Sequence, residues 1–237
     1  LQRVFTIVTD EEKKQELADR QADLMSDLEL VQKQQQSAHE QVRQLQIQLA
    51  EAGELRPQDL DTLQRAEMTQ RNTAKKLTDE HVGIRRRAQA LLQELRNNNV
   101  EDLETQGRMT KLDREIERLN QENLPRIEED LTTVRKRAQS EPLSDKSESE
   151  GDKPQPSPAV RAEQQKSLND AEDNQRIVLE SLRETLNEMA RWRTHRDLAK
   201  NLDELIETQQ QLQKETADVS QKTLTKTRNE LTQQEKT

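Results

Sequence analysis

Residues 9–53 read TDEEKKQELADRQADLMSDLELVQKQQQSAHEQVRQLQIQLAEAG, and one largely apolar stripe runs through them at coiled-coil spacing. The stripe advances by four and three residues alternately over five heptads, which predicts a long amphipathic helix. Its members are Leu17, Gln21, Leu24, Leu28, Val31, Gln35, Ala38, Val42, Leu45, Leu49 and Ala52. Gln21 and Gln35 place amides in the seam, where polar residues cost stability but can fix the register of packing. At 1.5 Å per residue, this helix would be about 65 Å long.

Capping signals mark both ends of this helix. Thr9 and Glu12 have the spacing of a capping box, in which each side chain accepts a hydrogen bond from the backbone N–H of the other residue. Gly53 follows the last periodic residue and suits the left-handed conformation that ends many helices. Pro57 can then open a second helix, because the first helical position needs no N–H. The connection is short, so we expect helices one and two to run antiparallel.

The heptad pattern continues beyond Pro57 and is interrupted twice, near Gly83 and at Pro125. The second helix keeps its phase through Leu60, Leu63, Ala74, Leu77, Ile84, Ala88, Leu91 and Leu95, with Glu67, Gln70 and His81 at intervening seam positions. Thr78, Asp79 and Gly83 offer a place for a break. The third helix is predicted over about 101–139, and its apolar stripe shifts phase at Pro125. A proline removes one backbone hydrogen bond, so we predict a joint there.

Residues 140–158, SEPLSDKSESEGDKPQPSP, form a predicted linker. Serine, proline and acidic residues leave little to bury, so we expect this segment to be disordered and mobile, and to be cut first in limited proteolysis. Ser157 and Pro158 have the residue types of an N-cap and a first helical position. The final long helix starts there. Its phase slips near Trp192, which indicates a kink or turn.

These patterns predict an all-α protein in four parts. Residues 1–8 are the end of an upstream strand or a tail, and residues 9–139 are a coiled-coil-like bundle of three long antiparallel helices. Residues 140–158 are the disordered linker, and residues 159–237 are a further long helical segment that continues beyond the fragment. Because the chain begins at Leu1 and ends without a stop signal of its own, we expect it to be a piece of a longer protein.

Composition supports helices and argues against a globular enzyme. Hydrophobic residues make up 29% of the chain and charged residues 36%, with one Phe, one Trp and no Tyr. So few aromatic side chains cannot fill a thick core, whereas the abundant Ala, Leu, Glu, Lys, Arg and Gln are strong helix formers. A net charge of -9 gives no global support for binding nucleic acid. The absence of cysteine excludes disulfides and thiolate sites.

The sequence offers no motif for catalysis, for a cofactor or for a metal. His39, His81 and His195 are far apart, and no His-x-x-x-His or Glu-x-x-His pair exists. No Gly-x-Ser-x-Gly elbow and no glycine-rich phosphate loop is present. We therefore predict that the chain is not an enzyme and has no cofactor.

Three basic clusters are candidates for contact with a partner. Arg191, Trp192, Arg193 and Arg196 form the most distinctive local feature, because a Trp among cations can anchor a protein interface or stack on a base. Packing of the Trp at a helix joint, covered by arginine stems, is the more common role of such a residue. The clusters 85–87 and 135–137 are also basic, but acidic residues surround them, which favours a solvated helix face.

Several short segments together resemble one group of proteins. These segments are Phe5 to Thr9, VRQLQIQL at 42–49, NNNV at 97–100, Leu124-Pro125, and MARW at 189–192 before a glutamine-rich helix. They are similar to segments of large uncharacterised coiled-coil proteins of planctomycete-type bacteria. The resemblance implies a membrane-anchored N-terminal part with a β-domain, and a setting at the bacterial cell envelope or its periplasmic side. It implies no activity and no functional residues.

The most direct functional hypothesis is a non-enzymatic structural spacer within a larger, envelope-associated protein. The alternative is a regulatory module that binds a partner helix or an acidic or nucleic ligand. The expected partners are proteins, either other copies of the chain or other helices. We expect no small-molecule substrate, we do not favour nucleic acid, and we expect membrane contact only through flanking segments.

Overall fold

The computed structural model describes residues 9–97, 102–140 and 157–223. These residues form helices and their connections, and no strand occurs among them. The helices are α1 (Asp10–Ala52), α2 (Pro57–Thr78), α3 (Ile84–Asn97), α4 (Leu103–Glu122), α5 (Leu124–Ser140) and α6 (Pro158–Thr223). The predicted all-α class is confirmed. The expected strand or tail at 1–8, most of the expected linker and the last residues of the chain lie outside the described residues.

Helix α1 begins and ends where its capping signals indicated. The Thr9 hydroxyl accepts a hydrogen bond from the Glu12 N–H at 3.2 Å, and the Glu12 carboxylate accepts one from the Thr9 N–H at 2.8 Å. Gly53 ends the helix in the left-handed conformation, with φ of 77°, and its N–H bonds the Leu49 carbonyl. A Cβ at Gly53 would lie 2.7 Å from the guanidinium of Arg161, whose flexible side chain can move, so the left-handed conformation is what requires glycine.

Helices α2 and α3 are separated by a tight turn at the predicted break. The Asp79 carboxylate accepts hydrogen bonds from the N–H groups of His81 and Val82 at 2.9 and 3.1 Å. The Gly83 N–H bonds the Asp79 carbonyl at 3.0 Å. A Cβ at Gly83 would lie 2.5 Å from the Asp79 backbone, so only glycine fits. His81 is exposed in this turn. Its predicted seam position is therefore wrong, because the turn removes it from the helix.

Helices α4 and α5 meet at the joint predicted from Pro125. Helix α4 ends at Glu122, Asn123 lies between the helices, and Pro125 occupies the first turn of α5. Pro125 donates no backbone hydrogen bond, and the next turn is closed by the Ile127 N–H on the Asn123 carbonyl at 3.1 Å. Asn123 is buried and its amide donates to the Asn174 side chain at 2.9 Å.

The described chain divides into two compact units, with the boundary between Asn187 and Glu188. In the first unit, side-chain contacts join neighbouring helices that run antiparallel. Representative pairs are Lys13–Glu94, Arg71–Glu128, His39–Glu172, Asn123–Asn174 and Arg137–Glu163. The helices thus form four columns: α1, then α2 with α3, then α4 with α5, and finally α6 up to residue 187.

The fourth column differs from the arrangement expected from the sequence. We expected residues 9–139 to form one unit and residues 159–237 another. Leu168, Ala171 and Val178 of α6 are instead fully buried, and this part of α6 belongs to the first unit. A heptad pattern identifies the buried face of a helix but not the helices that bury it. Composition alone therefore does not locate the boundary between the two units.

The core of the first unit follows the predicted stripes. Its largest fully buried side chains are Leu24, Leu28, Leu45, Leu49, Leu63, Leu77, Leu95, Met109, Ile116, Leu119, Ile127 and Leu131. Methionine is the only non-branched member, and no aromatic side chain is among them. The core is thin enough to be filled by aliphatic side chains between adjacent helices.

Candidate functional site

The predicted partner-binding cluster lies on a continuous helix. Helix α6 runs unbroken from Pro158 to Thr223, so the phase slip near Trp192 produces no break in the helix. Arg191 is exposed. The side chains of Trp192, Arg193 and Arg196 lie outside the part of the structure that is described. Their role in partner binding stays a prediction.

The two other basic clusters are occupied by contacts between helices. Arg85 pairs with Asp113 at 2.9 Å and with Glu117, and Arg87 pairs with Asp27. In the second cluster, the corresponding pairs are Arg135–Glu67 and Arg137–Glu163, both at 3.0 Å. These cations join α3 to α4, α3 to α1, α5 to α2 and α5 to α6. Sequence spacing missed these pairs because their partners lie on other helices.

Three glutamines meet inside the first unit, and we call them the glutamine layer: Gln35, Gln70 and Gln175. Each is at most 1% exposed. The amides of Gln35 and Gln175 both donate to Oε1 of Gln70, at 3.1 and 3.2 Å. The layer therefore connects α1, α2 and α6 through one acceptor. The sequence identified the seam positions of Gln35 and Gln70 but not their common partner on α6.

A carboxyl group on α5 lies in an unfavourable electrostatic environment. Burial is the main cause that raises the pKa of Asp130 to about 6, and the negative charges of Asp170 and Glu129 raise it further. Arg126 and Lys166 oppose this shift. In contrast, the pKa of Glu115 is lowered, mainly because Arg118 donates hydrogen bonds to it. Such shifts occur in structural charge networks as well as in active sites.

A cavity of about 500 Å³ opens beside the α2–α3 turn. Leu30, Val31, Val82 and Ile84 supply apolar walls, while Lys75, Lys76, Arg87, Asp27 and Asp79 contribute charges. Cations and carboxylates are mixed at this surface, and Arg87 is already paired with Asp27. The cavity therefore presents no single charge to a ligand.

The second unit includes a stretch of α6, residues 201–218, whose described side chains are exposed. Between residues 201 and 218 of α6, every described side chain is exposed to solvent. Four of these side chains are large and hydrophobic: Leu202, Leu205, Ile206 and Leu212, at 57%, 61%, 45% and 51% exposure. They share one face of the helix. A contiguous apolar face of this kind is typical of an interaction surface.

The two histidines whose side chains are described, His39 and His81, lie in different parts of the first unit. No group of three or more His, Asp or Glu side chains that could hold a metal ion occurs in residues 9–97, 102–140 and 157–223. His39 contacts Glu172 at 3.1 Å, and His81 lies in the α2–α3 turn. Within the same ranges, none of the helices has the length and apolar content required to cross a bilayer.

Comparison with known proteins gives no match. No family model, curated protein or solved structure is significantly similar to this chain.

Proposed function

We propose that this chain is a non-enzymatic structural module, a helical spacer within a larger protein. The observation that carries the proposal is that charged and polar side chains bond one helix to another. In the first unit they connect adjacent helices by ion pairs and by buried hydrogen bonds. The charges that line the cavity beside the α2–α3 turn are of both signs.

These contacts favour a stiff module because they act at several levels along the columns. Lys13 and Arg20 share Glu94 near the start of α1. The glutamine layer lies near the middle of the column, and Gln46 donates to the Leu168 carbonyl at 3.1 Å near its end. Exposed ion pairs contribute little stability individually. Their spacing along the helices, however, disfavours sliding of one column along another.

The setting of the spacer is the second part of the proposal. The resemblance to coiled-coil proteins of planctomycete-type bacteria favours a larger protein associated with the cell envelope. In that setting the module would separate or join other domains, and membrane contact would come from flanking segments.

Stiffness can be measured with paired spin labels on α1. Cysteines at Gln15 and Glu51, both exposed, are 36 residues apart in one helix, so the expected separation is about 54 Å. A spacer requires a narrow distance distribution around that value. The control adds Val31→Asp to the same labelled chain, because Val31 is fully buried and a core charge should broaden the distribution. A broad distribution without Val31→Asp would contradict the proposal.

A regulatory binding module is the second candidate, and the exposed apolar face of α6 favours it. The chain contains a single tryptophan, Trp192, whose fluorescence can report ligand binding nearby. An acidic helical peptide and a single-stranded oligonucleotide are the two probes. A saturable emission change that Arg191→Ala and Arg193→Ala abolish would support this function. An unchanged emission with both probes would count against it.

A further inference from the structure

We propose that the exposed apolar face of α6 is the seam of a parallel, in-register coiled coil formed with a second copy of this chain. The proposal goes beyond a spacer that acts as a single chain. It concerns residues 201–220 of the second unit, which we call the tail seam.

The spacing of the tail seam matches a two-stranded coiled coil. Leu202, Gln209 and Thr216 recur every seven residues at one seam position, and Leu205 and Leu212 recur at the other. These positions alternate by three and four residues, as the a and d positions of a heptad do. Each of these five side chains is exposed. Among residues 9–97, 102–140 and 157–223, therefore, no helix covers this seam.

The two polar residues of the seam can be buried by a second copy. The Thr216 hydroxyl already donates to the Leu212 carbonyl of its own helix at 2.7 Å. Burial of Thr216 therefore leaves no hydrogen-bond donor without an acceptor. Gln209 carries an amide with both donor and acceptor. In a parallel, in-register pair, the two copies of Gln209 lie in the same layer and can hydrogen-bond each other. A single polar a position of this type selects register at some cost in stability.

Charge distribution also favours a second copy. Charged residues lie mostly on the outward side of the helix, and those whose side chains are described are Glu204, Glu207, Lys214 and Asp218. Glu215 is the only charged residue at the seam and flanking positions from 201 to 216. In a parallel pair its counterpart is Ser220 of the other copy, because g positions face the e positions of the next heptad. Like charges therefore do not oppose each other across the seam.

The flank of the seam adds apolar area on one side. Ile206 follows Leu205 and occupies an e position, where it would pack beside the Leu205 layer. A strongly charged partner helix would meet few charges of opposite sign here, because the positions beside the seam are nearly neutral. The chemistry of the face thus fits an identical, uncharged seam better than a strongly charged ligand.

Sedimentation equilibrium of the full 237-residue chain tests the association. We expect the average mass to rise from 27.6 kDa towards twice that value as concentration increases. The double substitution Leu205→Glu with Leu212→Glu should weaken association at least about tenfold, because it places carboxylates in the buried seam. The matched control, Gln210→Glu with Ala217→Glu, adds the same charges seven residues apart on the outward side and should leave association unchanged.

The orientation has its own measurement. The chain has no natural cysteine, so Leu202→Cys introduces one thiol near the start of the seam. Parallel pairing brings the two thiols together, and oxidation should crosslink the chains rapidly, whereas Gln210→Cys should not crosslink. A chain that stays monomeric at high concentration, or a dimer that survives the seam glutamates, overturns the proposal. A dimer in which Leu202→Cys crosslinks no faster than Gln210→Cys overturns the parallel register.

Discussion

Substitutions in the glutamine layer should change stability in opposite directions, depending on how many glutamines are replaced. Gln70 Oε1 accepts both hydrogen bonds of the layer, so Gln70→Met removes both and strands two buried amide donors. Each stranded donor costs about 1–3 kcal/mol. The methionine has similar volume and recovers about 1–2 kcal/mol through apolar burial. We therefore expect Gln70→Met to lower the free energy of unfolding by about 2.5 kcal/mol, the middle of a range of about 0–5 kcal/mol.

Replacing all three glutamines by methionine should raise the free energy of unfolding. The triple substitution removes the whole polar layer, including Gln35 Oε1, Gln70 Nε2 and Gln175 Oε1, for which no hydrogen-bond partner is present among the described residues. Replacement of both partners of a buried hydrogen bond by apolar side chains of similar shape can be nearly neutral or stabilising, and each buried methionine adds apolar burial. The triple variant should therefore be at least as stable as the unmodified chain and clearly more stable than Gln70→Met.

Urea-induced unfolding, followed by helical circular dichroism, measures these differences through the midpoint and the slope. Gln36→Met is the matched control, because Gln36 is exposed on α1 beside Gln35, and it should change stability by no more than about 0.5 kcal/mol. If the triple variant is no more stable than Gln70→Met, the layer does not carry an uncompensated polar cost.

Three further predictions concern single positions. Gly107→Ala should stabilise the chain by about 0.5–1 kcal/mol, because a Cβ there meets open space within a helix. Gly83→Ala should destabilise the chain by about 1–3 kcal/mol, because its Cβ would clash with the Asp79 backbone. Thermal unfolding compares the two variants, and equal midpoints would contradict this prediction. Arg135→Met leaves the carboxylate of Glu67, which is only 5% exposed, without its partner and should lower the free energy of unfolding by about 3 kcal/mol. The control, Arg176→Met, breaks an exposed ion pair and should lower it by at most about 0.5 kcal/mol. A similar loss of stability in both variants would argue against a special role for burial. The folded-state pKa of Asp130, about 6, lies above its ordinary value of 3.8, so the folded chain binds this proton more tightly and loses stability as pH rises from about 4 to above 6. Asp130→Asn should reduce that loss in urea titrations at successive pH values, and an unchanged pH profile would show that this carboxyl is not the cause.

Local signals in the sequence predicted helix boundaries well. The Thr9 capping box, Gly53, Pro57, the break before Gly83, the joint at Pro125 and the Ser157–Pro158 start all correspond to observed helix ends. Each of these signals acts within one or two turns of the chain. Their chemistry is therefore readable from neighbouring residues alone.

Contacts between distant segments could not be predicted in the same way. Nothing in the local sequence of Arg135 identifies Glu67 as its partner, and nothing near Gln70 identifies Gln175. Both pairs depend on the lateral order and axial offset of helices, which a heptad pattern leaves open. The same limitation explains why α6 was expected outside the first unit. The low aromatic content was informative about the kind of core but not about which helices share it.

The packing of α6 on the other columns means that its covalent attachment is not what holds it in place. Contacts such as Gln46 with Leu168, Asn123 with Asn174 and Ser181 with Glu115 would remain if the chain were cut between residues 140 and 157. A nick in this segment should therefore leave the two pieces bound to each other and co-eluting until denaturant separates them. The protein could then serve as a split pair, reconstituted from two separately made polypeptides.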